Sequence, residues 1–103
     1  MKSIEHNYQY HLKKPSDINE HLSTLYKYAS ECDSVFETGV RGCISSWALS
    51  NGLLHNKNTA SKPCLFMNDI NECDIHNLLL LTKDLPIIIK YEWKNNLEFG
   101  IGL

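Results

Sequence analysis

Arginine is almost absent from the sequence, because Arg41 is the only one in 103 residues. Lysine and arginine together number 10 against 12 acidic residues, which gives a formal net charge of −2 and a pI near 6.2. Proteins that bind nucleic acids or anionic membranes usually carry a strongly basic stripe or face. The composition therefore argues against both kinds of partner.

Long apolar runs and closely paired cysteines are missing as well. The longest apolar stretches, residues 78–81 and 86–89, are far shorter than the roughly 20 residues that span a bilayer. Residues 1–14 lack the apolar run of a signal peptide. The four cysteines show neither C-x-x-C nor zinc-finger spacing. These features favour a reduced, soluble, cytoplasmic protein, and we expect no metal centre and no membrane partner.

The first third of the chain predicts an arm followed by a helix. Residues 1–16 show no convincing period, and we expect a loosely ordered arm or a short lid-like segment there. Asp17 and Glu20 have the spacing of a capping box. Apolar residues then recur at helical spacing as far as Cys32, so we expect a helix that begins at Asp17.

Downstream, three short apolar runs alternate with helical patterns. The runs that predict strands are Val35-Phe36, residues 64–67 and residues 87–91. The helix after the first strand is expected to stop at Gly52, and the polar residues 55–63 predict a loop. The helix after the second strand is expected to have Asn71 as its cap, with Ile70 and Ile75 as a hydrophobic staple. Residues 92–103 show no helical pattern.

Strands that alternate with helices of about ten residues specify right-handed crossovers and a parallel sheet. The sequence therefore predicts an α/β fold, a three-layer Rossmann-like partial domain. We expect three parallel strands in the order 3-2-1, with helices on both faces and a preceding N-terminal helix. This half domain is expected to span residues 17–103.

The turn after the first strand carries the most specific pattern. It reads Glu37-Thr38-Gly39-Val40-Arg41-Gly42-Cys43-Ile44-Ser45-Ser46. Glycines let a backbone approach a ligand, and the free N–H groups of a helix start are electropositive. A carboxylate at the strand end can accept hydrogen bonds from hydroxyl or ammonium groups. The pattern predicts a site for a polar, nucleotide-like ligand.

This stretch resembles the E/D-x-G-x-G-x-G signature of the class I S-adenosylmethionine-dependent methyltransferases, in the variant form E-x-G-x-R-G-x-S-S. The resemblance implies that S-adenosylmethionine is the cofactor and that its methyl group goes to an unknown acceptor. It implies that Glu37 faces the cofactor's amino group, while Gly39 and Gly42 allow close backbone approach. Arg41 and Ser45 complete the expected cofactor-binding set on the turn.

In the same family an acidic residue at the end of the second strand bonds both ribose hydroxyls, and Asp69 matches that position. The separation from Glu37 is 69 − 37 = 32 residues, longer than the ~20 typical of related dinucleotide folds. Plainer interpretations stay open for three residues. Arg41 can be a solvated charge, Ser45 a helix-start serine bonded to local backbone, and Asp69 a turn acid.

The complete family fold has seven strands, of which this sequence supplies three. We therefore expect either a fragment of a longer methyltransferase-like protein or a shortened, inactive relative, and we assign no catalytic residue. S-adenosylmethionine or S-adenosylhomocysteine is the expected small-molecule partner. Strand 1 would lie at an exposed edge, which predicts a homodimer through that edge.

Two other classes of function compete with this hypothesis. One is a non-catalytic Rossmann-like protein-interaction module. The other is phosphate or nucleotide binding at the turn, which is disfavoured because the turn lacks the lysine of a P-loop and Glu37 would repel phosphate.

Overall fold

The fold is organised by three parallel strands, seen in a computed structural model that describes residues 3–56 and 62–94. They are β1 (Ser34–Thr38), β2 (Cys64–Asp69) and β3 (Ile88–Trp93). β2 pairs with β1 on one side and with β3 on the other, both in parallel, so the strands lie in the order 3-2-1. The expected α/β class and strand order are confirmed. Much of the loop expected at 55–63 and of the final stretch 92–103 lies outside the described residues.

Four α-helices and a short 3-10 turn accompany the described sheet. They are α1 (Ile4–Lys13), the 3-10 turn (Asn19–His21), α2 (Leu22–Ala29), α3 (Ile44–Leu54) and α4 (His76–Thr82). Helix α3 is central, because it contacts α1, α2, β1 and β2. Every residue of α3 from Ser46 to Leu53 is therefore buried. Within the described ranges, no helix is both long and apolar enough to cross a membrane.

The helices that contact the sheet lie against one of its faces. Both crossovers step across the sheet in the same direction, so the usual right hand places α3 and α4 on one side. That face carries Leu65 and Met67, which are fully buried. On the opposite face, Phe36 is 42% exposed and Ile88 is 40% exposed. Helices are expected on both faces of the sheet. The described helices α3 and α4 lie on the face that carries Leu65 and Met67.

The N-terminal segment differs from the prediction. Residues 4–13 form helix α1, so the prediction of a loosely ordered arm there is wrong. Ser3 is the N-cap, and its hydroxyl oxygen accepts the N–H of His6 at 3.0 Å. Ile4 and Tyr8 lie one turn apart and are buried, and Tyr8 stacks on Tyr26 of α2 with ring centroids 5.1 Å apart. Ile4 and Tyr8 are the only buried residues of this helix, and two positions are too few to produce a clear helical period in the sequence.

The start of the second helix also differs. Asp17 does not cap a helix, because α2 begins only at Leu22, after the 3-10 turn. The Asp17 carboxylate instead pairs with the Arg41 guanidinium at 3.1 Å. A contact across 24 residues has thus replaced the local capping box.

Helix α4 begins at His76, later than expected. The predictions of Asn71 as its cap and of a staple between Ile70 and Ile75 are therefore wrong. The N–H of Asn71 is held in the turn after β2 by a carboxylate oxygen of Asp69 at 3.1 Å. Ile70 is consequently 67% exposed. An oxygen of Asp74 accepts the N–H of His76, the first helical residue, at 3.1 Å.

Gly52 does not stop α3, which continues to Leu54. A Cβ atom at this position would lie 2.7 Å from the Cβ of Ala29 and closer still to the backbone oxygen of Tyr26. Both of these residues belong to α2. Gly52 is therefore the point where α2 and α3 cross in direct backbone contact.

The variant Gly52→Ala is expected to lower the free energy of unfolding by about 1–3 kcal/mol, because the added methyl group overlaps the backbone of α2. This loss comes in spite of the gain of about 1 kcal/mol in helix propensity. Urea unfolding followed by circular dichroism measures it. Gly42→Ala is the control, since nothing lies within 4 Å of a Cβ there. Equal stability of the two variants would contradict the close crossing.

Candidate functional site

The turn between β1 and α3 has an unusual backbone. Gly39 has a φ of +72°, and Arg41 and Cys43 have φ values of +49° and +67°. Left-handed conformations are uncommon for residues other than glycine and cost free energy. The Gly39 N–H donates to the Asn68 carbonyl oxygen at 2.9 Å, which fastens the turn to β2. The surrounding structure thus holds the turn in a conformation that its own residues do not favour.

Asp69, the last residue of β2, supplies the second fastening. One carboxylate oxygen accepts the Arg41 N–H at 3.0 Å, and the other accepts the Asn71 N–H at 3.1 Å. These backbone hydrogen bonds, that of Arg41 foremost, hold the pKa of the carboxyl below its ordinary value. The carboxylate predicted to bind ribose therefore serves the chain itself as a clasp between β2 and the turn. Its role toward ribose stays a prediction.

Glu37 lies beneath the turn and is 6% exposed. One of its carboxylate oxygens accepts the hydroxyl of Ser45, and the other accepts the hydroxyl of Ser46 at 2.7 Å. Burial raises the pKa of Glu37, and the two serine hydrogen bonds oppose that shift. The serines thus bind a carboxylate rather than local backbone, and they join the end of β1 to the first turn of α3.

A cleft of about 360 Å³, the turn cleft, opens beside these residues. Its lining combines the turn and the start of α3 with the segment before α2 and α2 itself: Gly39, Arg41, Gly42 and Ser45 with Asp17, Ile18, His21 and Leu25. The Arg41–Asp17 ion pair belongs to this lining, and its side chains are 66% and 67% exposed. The turn cleft therefore presents charges of both signs next to an apolar wall.

The structure brings together four of the six predicted cofactor-binding residues, Gly39, Arg41, Gly42 and Ser45, in this lining. Glu37 and Asp69 are connected to the cleft indirectly. Glu37 holds Ser45 by a hydrogen bond, and Asp69 holds the backbone of Arg41. Both carboxylates thus hold residues that line the cleft without belonging to its lining.

Sequence reasoning missed the second wall of the cleft. It assigned Asp17 to a helix cap and Ile18 and Leu25 to an apolar helix face. No local pattern links these residues to Arg41, because the chain brings them together only when α2 packs on α3. An isolated arginine in need of a counter-charge is the one signal that could have pointed to Asp17.

The chemistry available in and around the turn is that of binding groups. Burial raises the pKa of the Cys43 thiol to about 12, so this cysteine is protonated at neutral pH and is a poor nucleophile. Within residues 3–56 and 62–94, no group of three or more His, Cys, Asp or Glu side chains is arranged to hold a metal ion. The turn cleft offers a guanidinium, a carboxylate and a serine hydroxyl.

Comparison of the chain with family models, with curated proteins and with solved structures gives no match in any of the three. The α/β fold is thus known from the structure of this chain. The methyltransferase resemblance rests on the residues of the turn and on Asp69.

The variant Asp69→Asn is expected to be less stable than the wild type by about 1–2 kcal/mol at pH 7, since it loses a charge-assisted acceptor of backbone N–H groups. The folded pKa lies below the unfolded value of about 3.9. The carboxylate therefore contributes stability that is present above that value and is lost as the pH falls through the folded pKa.

Urea unfolding at pH 7, 5 and 3 measures this effect, and the difference between wild type and variant should shrink toward pH 3. Asp84→Asn, at an exposed position after α4, is the matched control. A loss for Asp69→Asn that is the same at all three pH values would contradict the charged clasp.

Proposed function

We propose that the chain is the cofactor-binding half of an S-adenosylmethionine-dependent methyltransferase-like protein, with the turn cleft as the site for the amino-acid end of the cofactor. The observation that carries the proposal is the Arg41–Asp17 pair at a cleft lined by the glycine turn. The amino-acid end of S-adenosylmethionine is a zwitterion. Arg41 can take its carboxylate and Asp17 its ammonium group, so the ligand exchanges one exposed ion pair for two charged contacts.

The remaining lining suits the rest of that ligand end. Ile18 and Leu25 provide apolar surface for the methylene groups beside the sulfur. Gly39 and Gly42 carry no side chain that would keep the ligand away from the backbone. The Ser45 hydroxyl is oriented by Glu37, which makes Glu37 a positioning residue for the turn.

The nucleoside would extend from the turn cleft toward the end of β2. Asp69 already accepts two backbone N–H groups. An ionised carboxylate has about four lone-pair sites, so it retains acceptor capacity for ribose hydroxyls. A ribose bound to Asp69 would then be linked to the turn through the hydrogen bond between Asp69 and the Arg41 N–H.

Methyl transfer from a sulfonium requires mainly alignment of the acceptor and removal of water. The described residues include no side chain to which we assign a catalytic step, and the acceptor is unknown. Under this proposal the acceptor site is completed by structure outside the three described strands.

We expect saturable heat when S-adenosylhomocysteine is titrated into the purified chain. Asp17→Asn and Arg41→Gln should each weaken binding about threefold to tenfold, because each removes one charged contact, and solvent screening limits its strength at side chains that are 66% and 67% exposed. Adenosine, which lacks the amino-acid end, should bind weakly and should not distinguish the variants from the wild type. Asp84→Asn is the matched control for loss of a surface charge.

Binding of S-adenosylhomocysteine that both variants leave unchanged would place its amino-acid end elsewhere. Stronger binding of ATP than of S-adenosylhomocysteine would favour the phosphate hypothesis. An absence of heat from all three ligands, together with a dimer by light scattering, would favour the interaction module, since β1 lies at an edge of the described sheet.

A further inference from the structure

A second concave surface lies at the carboxyl ends of β2 and β3, and its lining shares no residue with that of the turn cleft. This aromatic cleft has a volume of about 500 Å³, and Tyr91 and Trp93 form one of its walls. The two residues lie two positions apart along β3, so their side chains project from the same face of the sheet. Their ring centroids are 5.5 Å apart with planes inclined by 31°, and Tyr91 is 47% exposed.

The aromatic wall is held in place by a buried amide. Asn68 is 1% exposed, and its side-chain NH₂ group donates to the carbonyl oxygens of Glu92 and Lys94 at 3.1 and 2.8 Å. These hydrogen bonds tie the end of β3 to β2. The backbone that carries the two rings is therefore held in place before a ligand binds.

The rest of the lining comes from the segment after β2 and from the start of α4. It consists of the exposed carboxylates of Glu72 and Asp74, the exposed imidazole of His76, the thiol of Cys73 and the apolar side chains of Ile75 and Leu79, so two carboxylates stand against one imidazole. In the part of the chain that the structure describes, the ion pairs are Arg41–Asp17 and Lys94–Glu92, and neither involves these two carboxylates. The cleft lining thus combines two carboxylates with two aromatic rings.

This combination selects a cation. The faces of aromatic rings carry negative potential and attract ammonium and guanidinium groups. Carboxylates add charge-assisted hydrogen bonds, and an apolar floor accommodates an aliphatic stem. A phosphate or carboxylate ligand would be repelled by Glu72 and Asp74, and a neutral aromatic ring would gain nothing from them.

We propose that the aromatic cleft binds an organic cation of side-chain size, an alkylammonium or guanidinium group such as that of lysine or arginine in a partner peptide. The cation lies against the ring faces of Tyr91 and Trp93, and the carboxylates of Glu72 and Asp74 accept hydrogen bonds from its N–H groups. The site is separate from the turn cleft, so the inference does not rest on cofactor binding there.

The test uses the indole N–H resonance of Trp93 in the full chain, titrated with Nα-acetyl-arginine amide. The neutral, nearly isosteric Nα-acetyl-citrulline amide is the control ligand. The arginine derivative is expected to shift the Trp93 resonance saturably, and the citrulline derivative to leave it unchanged. Trp47 is 5% exposed in the core and serves as the internal reference, with no shift expected. Equal shifts with both ligands would overturn the proposal.

Variants separate aromatic from purely ionic attraction. Tyr91→Leu and Glu72→Gln are each expected to weaken arginine-amide binding about threefold to tenfold. Tyr28→Leu, which replaces a tyrosine of α2 that is 62% exposed, and Glu31→Gln, beyond the end of α2, are the matched controls and should bind as the wild type does.

Binding by Tyr91→Leu as tight as by Tyr28→Leu would mean non-specific charge attraction and would overturn the proposal. Circular dichroism checks that each variant is folded. If Tyr91→Leu proves unfolded, the comparison of Glu72→Gln with Glu31→Gln decides, and equal affinities in that pair overturn the proposal.

Discussion

The hydrogen bond from the Arg41 N–H to the Asp69 carboxylate is the contact on which the rest of the site depends. It joins the carboxyl end of β2 to a turn whose residues 41 and 43 have positive φ values without being glycine. Such a backbone persists only where neighbouring structure over-determines it. The clasp fixes the direction in which α3 leaves β1, and through α3 it fixes the helix that supplies the second wall of the turn cleft.

Two carboxylates at the strand ends affect stability in opposite ways. Asp69 is stabilised as an anion by backbone N–H groups, so its contribution is lost as the pH falls. Glu37 is buried and its pKa is raised, so the folded state binds its proton more tightly than the unfolded state does. Its contribution to stability therefore falls as the pH rises through the range between its unfolded and folded pKa values. An acidic residue held in a buried position next to a strained turn is typical of a functional site, where preorganisation is kept at the expense of stability.

The sequence predicted the sheet well because its signals are local. Short β-branched runs such as Ile88-Ile89, bounded by Pro86 and by polar residues, indicate strands by themselves. The same holds for the glycine turn. What could not be predicted depends on contacts between distant residues. Gly52 resembles a helix stop until α2 is seen to cross it, and Asp17 resembles a cap until Arg41 is found beside it. The carboxylate of Asp69 is recognisable as a strand-end acid, but its bond to a backbone 28 residues earlier is not.

The most direct measurement is a backbone-amide NMR titration with S-adenosylhomocysteine, compared residue by residue with the same titration of adenosine. The difference between the two locates the amino-acid end of the ligand. If the turn cleft holds that end, the differences will concentrate at the amides of Gly39, Arg41, Gly42 and Ser45 and in the segment from Asp17 to Leu25. Differences that fall elsewhere, or that are absent at saturating ligand, would contradict the turn cleft as a cofactor site.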